Sequence, residues 1–551
     1  MRRRLLRTVL LSAVAIPAFA GVSRAAAQQD QDRDTRLKTL EQEVQDLSSQ
    51  IDDLKRSSSA QYQDIQDKKA TEAKVKIDNG RPTISSGDGK FTASIRGLAQ
   101  LDWGTYMQSR ASATLPAAYG PDLSSGANFR RVYLGVQGKL FGDWSYNLNF
   151  DFGGSGGTEA PGHIQSVYLQ YDGLAPFAFR AGAYPAPSNL EDSTSSGDTI
   201  FLERNAPSDL QRNIAGGDGR DAVSILYLGD QLFGALSYTG NKVQESGSIF
   251  GEQESVVGRG SYLVYSDPDI HWLIGANGTY VFRPQGALAR NAAFPGGAPN
   301  GTAPKTFSLS DPPELTIDEN GLKLVNTTAL SADHVSQWGL ETAGNFDNLY
   351  GQAGYYDFEV ERAPEAFSVF TASGTSSAKL VQPKSDAFHG WYLQAAWTIT
   401  GEQRTYNTAT GAFQPPKPDH PLDLESGDLG AFELAGRYSD LDLNDHTSDA
   451  ATVVTNWTGA APPAPQSKTY TFYNTVRGGD QRIWTATLNW YPVNAIKLAL
   501  QYQLIGISRL QSGTSPSTLI VVGPTTSAPS LPTKSASQNL QTIAIRAQVQ
   551  F

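Results

Sequence analysis

The chain has 551 residues, no cysteine, 53 glycines, 23 tyrosines, 23 phenylalanines and 9 tryptophans, with a net charge of −11 and a mean hydropathy of −0.35. Disulfides are excluded, and no run of about 18 apolar residues follows the amino terminus, so no membrane-spanning helix is readable. The acidic balance argues against nucleic acid as a partner.

The amino terminus reads as an export signal. Arg2, Arg3, Arg4 and Arg7 precede an apolar stretch that ends at small residues, with cleavage after Ala20 or Ala27. We prefer Ala27, which makes residues 1–27 the signal peptide. Its removal takes away five arginines and no acid and moves the net charge from −11 to −16. Residues 28–56 follow as a helix on which Leu37, Leu40, Val44, Leu47, Ile51 and Leu54 recur at alternating spacings of three and four. That is a heptad seam and predicts a periplasmic coiled coil, its a and d residues leaning towards two strands. One amphipathic helix lying on the rest of the protein is the alternative. Residues 57–88 are polar and read as a linker.

Beyond residue 89 the period changes to two. In "WSYNLNFDF", Trp144, Tyr146, Leu148, Phe150 and Phe152 take one face, and Ser145, Asn147, Asn149 and Asp151 take the other. The closing "QTIAIRAQVQF" sets Ile543, Ile545, Ala547, Val549 and Phe551 against Thr542, Arg546, Gln548 and Gln550. Strands alternate in this way and helices do not. Such runs fall near 91–106, 129–141, 144–153, 164–172, 177–184, 222–229, 232–239, 256–265, 271–282, 337–345, 349–360, 388–400, 431–439, 482–491, 495–506 and 539–551. Their connectors alternate between short and long. Only 401–430 is long where a short turn is due.

About sixteen alternating strands, short turns and long loops predict an all-β fold: a transmembrane antiparallel β-barrel spanning 89–551, placed in a Gram-negative outer membrane. A soluble sheet would instead bury its apolar face beneath a second layer. In lipid, only closure of the sheet satisfies every backbone group. The last run is then the closing strand, with Phe551 facing lipid and Arg546 facing inward.

Several segments are similar to the phosphate-selective porin O and P family. They are "FRRVYLGVQGKLFGDWSYNLNFDF" (Phe129–Phe152), "LERNAPSDL" (Leu202–Leu210), "GWYLQAAWTITGEQRTY" (Gly390–Tyr406), "FELAGRYSDLDLND" (Phe432–Asp445), "LNWYP" and the closing strand. The resemblance implies a homotrimer of sixteen-stranded barrels, a third outer loop folded into each pore, and basic residues that guide anions. It also tips the amino-terminal coiled coil towards three strands. The terminal aromatic, Phe551, resembles the insertion signal through which the barrel assembly machinery recognises outer-membrane proteins.

A barrel of this size encloses water, and charged side chains facing that water set its selectivity. Strand parity turns Arg96, Arg131, Lys139, Arg180, Arg259, Arg437, Lys497 and Arg546 inward. The inward acids are fewer: Asp102, Asp151, Glu341 and Glu433. The constriction loop, 185–221 by order, carries Glu191, Asp192, Glu203, Arg204 and Arg212. Arginine and lysine hold phosphate-type oxygens by charge-assisted hydrogen bonds. The expected function is passive diffusion of small hydrophilic solutes, favouring anions such as phosphate or polyphosphate. The alternative is a structural tether between the outer membrane and peptidoglycan with an incidental pore.

No catalytic constellation, cofactor or metal site is expected. The six histidines are scattered and show no zinc spacing. The run "DLDLND" (Asp440–Asp445) resembles the start of a calcium loop, but Asp445 stands where the glycine belongs.

Overall fold

The computed structural model describes residues 25–78, 80–108, 123–154, 162–243, 253–284, 305–319, 321–370, 376–447, 452–458, 466–472, 475–510 and 535–551. The expected signal peptide lies outside these residues except for its last three. Residues up to Glu72 form one unit and Ala73–Phe551 a second.

The first unit is a single helix, α1, from Ala25 to Thr71. It continues through Ser57–Thr71, where the polar composition suggested a linker. Lysine, glutamine and alanine are good helix formers, so a polar stretch propagates a helix that has already nucleated. The six seam residues are each at least 50% exposed. The remainder of the expected linker holds a hairpin, Lys74–Asp78 against Arg81–Ser85, which pairs onto the foot of the next strand through Thr83↔Ser94.

All sixteen expected runs are strands, from Thr92–Gln108 to Ser535–Gln550. Each pairs antiparallel with its neighbours, and the last pairs with the first from Leu540↔Gln108 to Gln550↔Leu98. The sheet closes into a sixteen-stranded barrel. Exposure follows the sequence alternation: Asp386–Thr398 switches between buried and exposed at every residue. Trp103, Leu134, Leu148, Trp338, Leu393 and Ile545 are among the large apolar side chains left exposed on the outer wall. Aromatic rings pair along the outer wall. Tyr438 lies 5.1 Å from Trp391 and 4.6 Å from Trp484, while Trp144–Tyr171 (4.9 Å) and Phe177–Tyr227 (5.3 Å) sit beside short turns. An apolar band between aromatic girdles is what lipid contact requires.

Two glycines let backbone and ring approach closely. Phe551 exchanges both backbone hydrogen bonds with Gly97 at 3.0 Å. A Cβ on Gly97 would stand 2.6 Å from the Phe551 ring. At Gly138 a Cβ would meet the Thr92 carbonyl oxygen at 1.8 Å, which no side-chain movement can relieve. Gly138→Ala is expected to destabilise the barrel by roughly 1–3 kcal/mol, read as a lower temperature for the loss of compact migration in gels. An unchanged temperature would mean that this strand contact is dispensable.

The interior is filled from both ends. From the side opposite the short turns enters the loop that follows strand Phe177–Ala183. It carries two helices, α2 (Leu190–Ser193) and α3 (Ala206–Ala215). Asn189 caps α2 and Asn205 caps α3, each accepting from a backbone N–H three residues on (2.8 and 2.9 Å). Leu210 and Ile214 of α3 pack against Val257, Val281, Tyr356 and Phe388 on the inner wall, and burial of such a side chain is worth about 1.5–3 kcal/mol. Part of the long loop before strand His334–Phe346 packs beside them, with Leu315, Ile317 and Leu324 in a cluster that includes Leu202 and Ile505. From the side of the short turns, the overlong connector 401–430 also turns inward. Its hairpin, Tyr406–Asn407 with Ala412–Phe413, packs Phe413 against Tyr350 at 5.2 Å. The first part of the extra length, 402–416, is thus an insert inside the barrel, whereas 417–429 is largely exposed; neither changes the strand count.

Candidate functional site

Four of the eight expected inward cations are bound into the wall by carboxylates. On the closing pair of strands, Arg546 faces Asp102 and donates to both of its oxygens at 2.7 Å. Arg546 also donates to the Leu202 carbonyl at 2.6 Å. Arg131 reaches Glu203 at 3.2 Å and Gln100 at 3.0 Å. Arg259 pairs with Glu341 at 2.7 Å, both side chains fully buried. Arg437 pairs with Glu314 and donates to the Glu203 carbonyl at 3.0 Å. Of the expected inward acids, Asp102 and Glu341 take part in these pairs, Glu433 binds Arg404 (2.8 and 2.9 Å), and Asp151 accepts from the Val132 and Gly153 backbones at 2.8 Å.

The loop residues join the same framework. Glu203 collects Arg130, Arg131 and Arg546 and accepts from Thr316 at 2.8 Å. Burial alone would raise its carboxyl, but those guanidiniums outweigh burial and hold it well below the ordinary glutamate range. Glu191 accepts from Gln352 and Gln394 at 3.0 and 2.9 Å. Arg212 joins Asp192 to Asp218. Against the pull of burial, its charge brings Asp218 down to about 2. Among the described residues Arg204 donates to the carbonyls of Glu191 (3.0 Å) and Thr194 (3.2 Å).

A cavity of about 800 Å³ lies between this loop, the wall and the 401–430 insert. Its ionisable lining is six cations, Arg81, Arg96, Arg204, Arg212, Lys417 and Lys497, against three acids, Asp192, Asp198 and Asp218. Arg212 is neutralised by its two carboxylates. The other five cations make no ion pair among the described residues. Arg96 donates to the Gln137 side-chain carbonyl at 3.1 Å. Lys497, 4% exposed, donates to the carbonyls of Thr199 (2.6 Å) and Ile200 (3.2 Å). Carbonyl partners orient these groups without an ion pair, and Asp198 of the same lining acts on both only at longer range, so a mobile anion can add counter-charge there.

Two expected cations stand apart from this cavity. Arg180 donates to Gln170 at 2.7 Å and lies over the Tyr168 and Tyr184 rings at 4.4 and 5.3 Å. Lys139 is exposed near a short turn. Phe551 sits at the end of the closing strand, over Gly97.

Other residues escaped the parity reading. Arg130 and Arg131 are both buried inside because the register jumps from Gln100↔Arg131 to Leu101↔Phe129, and the extra residue is a β-bulge. An arginine otherwise aimed at lipid was the available signal. Arg404 had a weaker one, the overlong connector that carries it. Glu314 and Asp318 come from a long loop whose path strand parity does not describe.

A closed sixteen-stranded barrel with an apolar outer band and a charged interior is an outer-membrane porin. The chain belongs to the family described as phosphate-selective porin O and P, which matches residues 115–518. Among curated proteins it is similar to Porin O of Pseudomonas aeruginosa, at 24% identity over 430 residues, 76% of this chain and 84% of that one. It is also similar to an uncharacterised protein of Caulobacter vibrioides, at 22% identity over 446 residues, 79% of this chain and 73% of that one. Among solved structures, the anion-selective porin from Comamonas acidovorans aligns with a TM-score of 0.40 at 11% identity, over 83% of this chain and 99% of that one. The family relationship favours a channel over the structural tether.

Proposed function

We propose that this porin passes small hydrophilic anions, phosphate-type oxyanions among them, through the cavity between the inward loop and the insert. The observation that carries this reading is the set of five cavity cations that make no ion pair among the described residues. An anion entering there meets Arg96, Arg204 and Lys497 already oriented by neutral oxygens, and it exchanges hydration for charge-assisted hydrogen bonds. Water in the cavity keeps such contacts weak enough for release. The wall cations Arg131, Arg259, Arg437 and Arg546 serve chiefly to hold the inward segments, and Arg96 and Lys497 carry the selectivity.

The functional unit in this reading is a homotrimer, with α1 contributing a coiled coil on the periplasmic side. The exposed heptad residues support it, since they gain most from burial against copies of themselves. Phe551, ending the closing strand, is the proposed signal for assembly into the outer membrane.

Planar-bilayer recordings test the proposal. Closures in three steps and a reversal potential of anion sign in a KCl gradient are expected, with phosphate reducing the chloride current. Arg96→Glu is expected to move the reversal potential towards the cation side, whereas Arg180→Glu, outside the cavity, leaves it within error. A cation-selective wild type would overturn the proposal.

A further inference from the structure

A second cluster of chemistry-bearing side chains lies at the opposite end of the barrel from the short turns. Strand Asp386–Thr398 begins there, and the adjacent strand Ala431–Asp445 ends there. Their register, His389↔Asp442, continued by three residues, sets Asp386 opposite Asp445. Asp386, Asp445 and His446 each offer one ligand atom, and the three atoms lie within 4.8 Å of one another. We infer that these residues form a site for a divalent first-row transition ion of the Zn²⁺ type, which ties together the bases of two outer loops.

Three features support the inference. Asp386 is 1% exposed, and Arg362 holds its Oδ2 at 2.8 Å. Its Oδ1 has no hydrogen-bond partner among the described residues. A buried carboxylate oriented through one oxygen and bare at the other is arranged as a metal ligand is, and without a cation the bare oxygen is a desolvation cost.

His446 comes second. Its Nε2 stands 3.4 Å from Asp445 Oδ2, the edge of a tetrahedron with metal–ligand bonds of about 2.1 Å. The same nitrogen donates its hydrogen to the Ser385 carbonyl oxygen at 2.8 Å; when an ion displaces that proton, the oxygen stands where it can serve as a fourth ligand. Third, His446 has a φ of +51°, left-handed for a residue that is not glycine. The Asp445 carboxylate holds that turn by accepting the His446 N–H at 2.7 Å. Such strain of roughly 1–3 kcal/mol persists where the surroundings over-determine it, and here it turns the imidazole back onto the carboxylates.

The donor set selects the ion. One imidazole beside carboxylate and carbonyl oxygens suits zinc and its first-row neighbours, whereas Ca²⁺ and Mg²⁺ favour oxygen alone. The site lies apart from the cavity cations and stands whether or not the channel favours anions.

Calorimetric titration of untagged, detergent-solubilised full-length protein with ZnCl₂ tests the inference. One ion per chain is expected, with binding weakened at least roughly tenfold in His446→Ala and in Asp445→Asn. His420→Ala, at an exposed histidine, and His334→Ala, at a half-buried one elsewhere, leave it unchanged. Compact gel migration of each variant verifies that its barrel is folded. Asp386→Asn, whose amide oxygen can still accept from Arg362, is expected to weaken binding equally and reads the site even if the changes at 445 and 446 loosen the turn. Co²⁺ substitution gives an independent reading through its visible absorption, expected in the wild type and absent in Asp445→Asn. Zinc binding that survives these substitutions, or a wild type that binds no zinc, would overturn the site.

Discussion

Glu203→Ala is expected to destabilise the folded protein by about 3–5 kcal/mol, because it leaves buried guanidiniums without their shared carboxylate. Arg130, Arg131 and Arg546 converge on Glu203 at 2.6–3.4 Å. In the variant Arg546 retains Asp102 and Arg131 retains Gln100, but the carboxylate that joins the three guanidiniums is gone. The loss is measurable as a shift in the urea midpoint of tryptophan fluorescence in detergent. Larger, noisier single-channel currents should accompany it as the loop loses its anchor. The sign of the pH dependence follows from the depressed carboxyl. The Glu203 contribution is complete above the ordinary glutamate value of 4.5 and is lost as pH falls through the lower folded value. A midpoint within error of wild type would show that the loop is held by its apolar face alone.

Replacing Tyr406–Phe413 by a short glycine-serine bridge is the second large perturbation. This hairpin narrows the pore from the side of the short turns. Arg259 fastens it by donating to the Thr410 and Gly411 carbonyls at 2.9 and 2.8 Å. Single-channel conductance is expected to rise roughly twofold or more, since the segment occupies cross-section that ions would otherwise use. Arg404 and Glu433 are kept, so no buried carboxylate is orphaned, and Arg259 retains Glu341. Unchanged conductance would mean that the conducting path bypasses the insert.

The barrel was legible because its physical requirement recurs at every second residue. Outward positions must be apolar and inward ones need not be, so sixteen runs could be placed before any coordinates. Burial along Asp386–Thr398 follows that alternation without a break. Charge pairing was much less legible. Parity places Arg131 inside but is silent about Glu203, whose path through the lumen depends on caps at Asn189 and Asn205 and on the apolar face of α3. It also misplaces Arg130, because one inserted residue inverts the alternation locally. The helix through Ser57–Thr71 was hidden for another reason: a polar helix exposed all round has no apolar stripe to betray its period.

Wall charges that cancel locally separate two design problems which open lumens usually entangle. Carboxylate–guanidinium contacts hold the inward segments to the wall, whereas in the proposed channel ionic preference rests on a few groups held only by neutral oxygens. In the proposed channel an engineer, or natural drift, could therefore retune what crosses the membrane at Arg96 or Lys497 while leaving the carboxylate–guanidinium scaffold untouched.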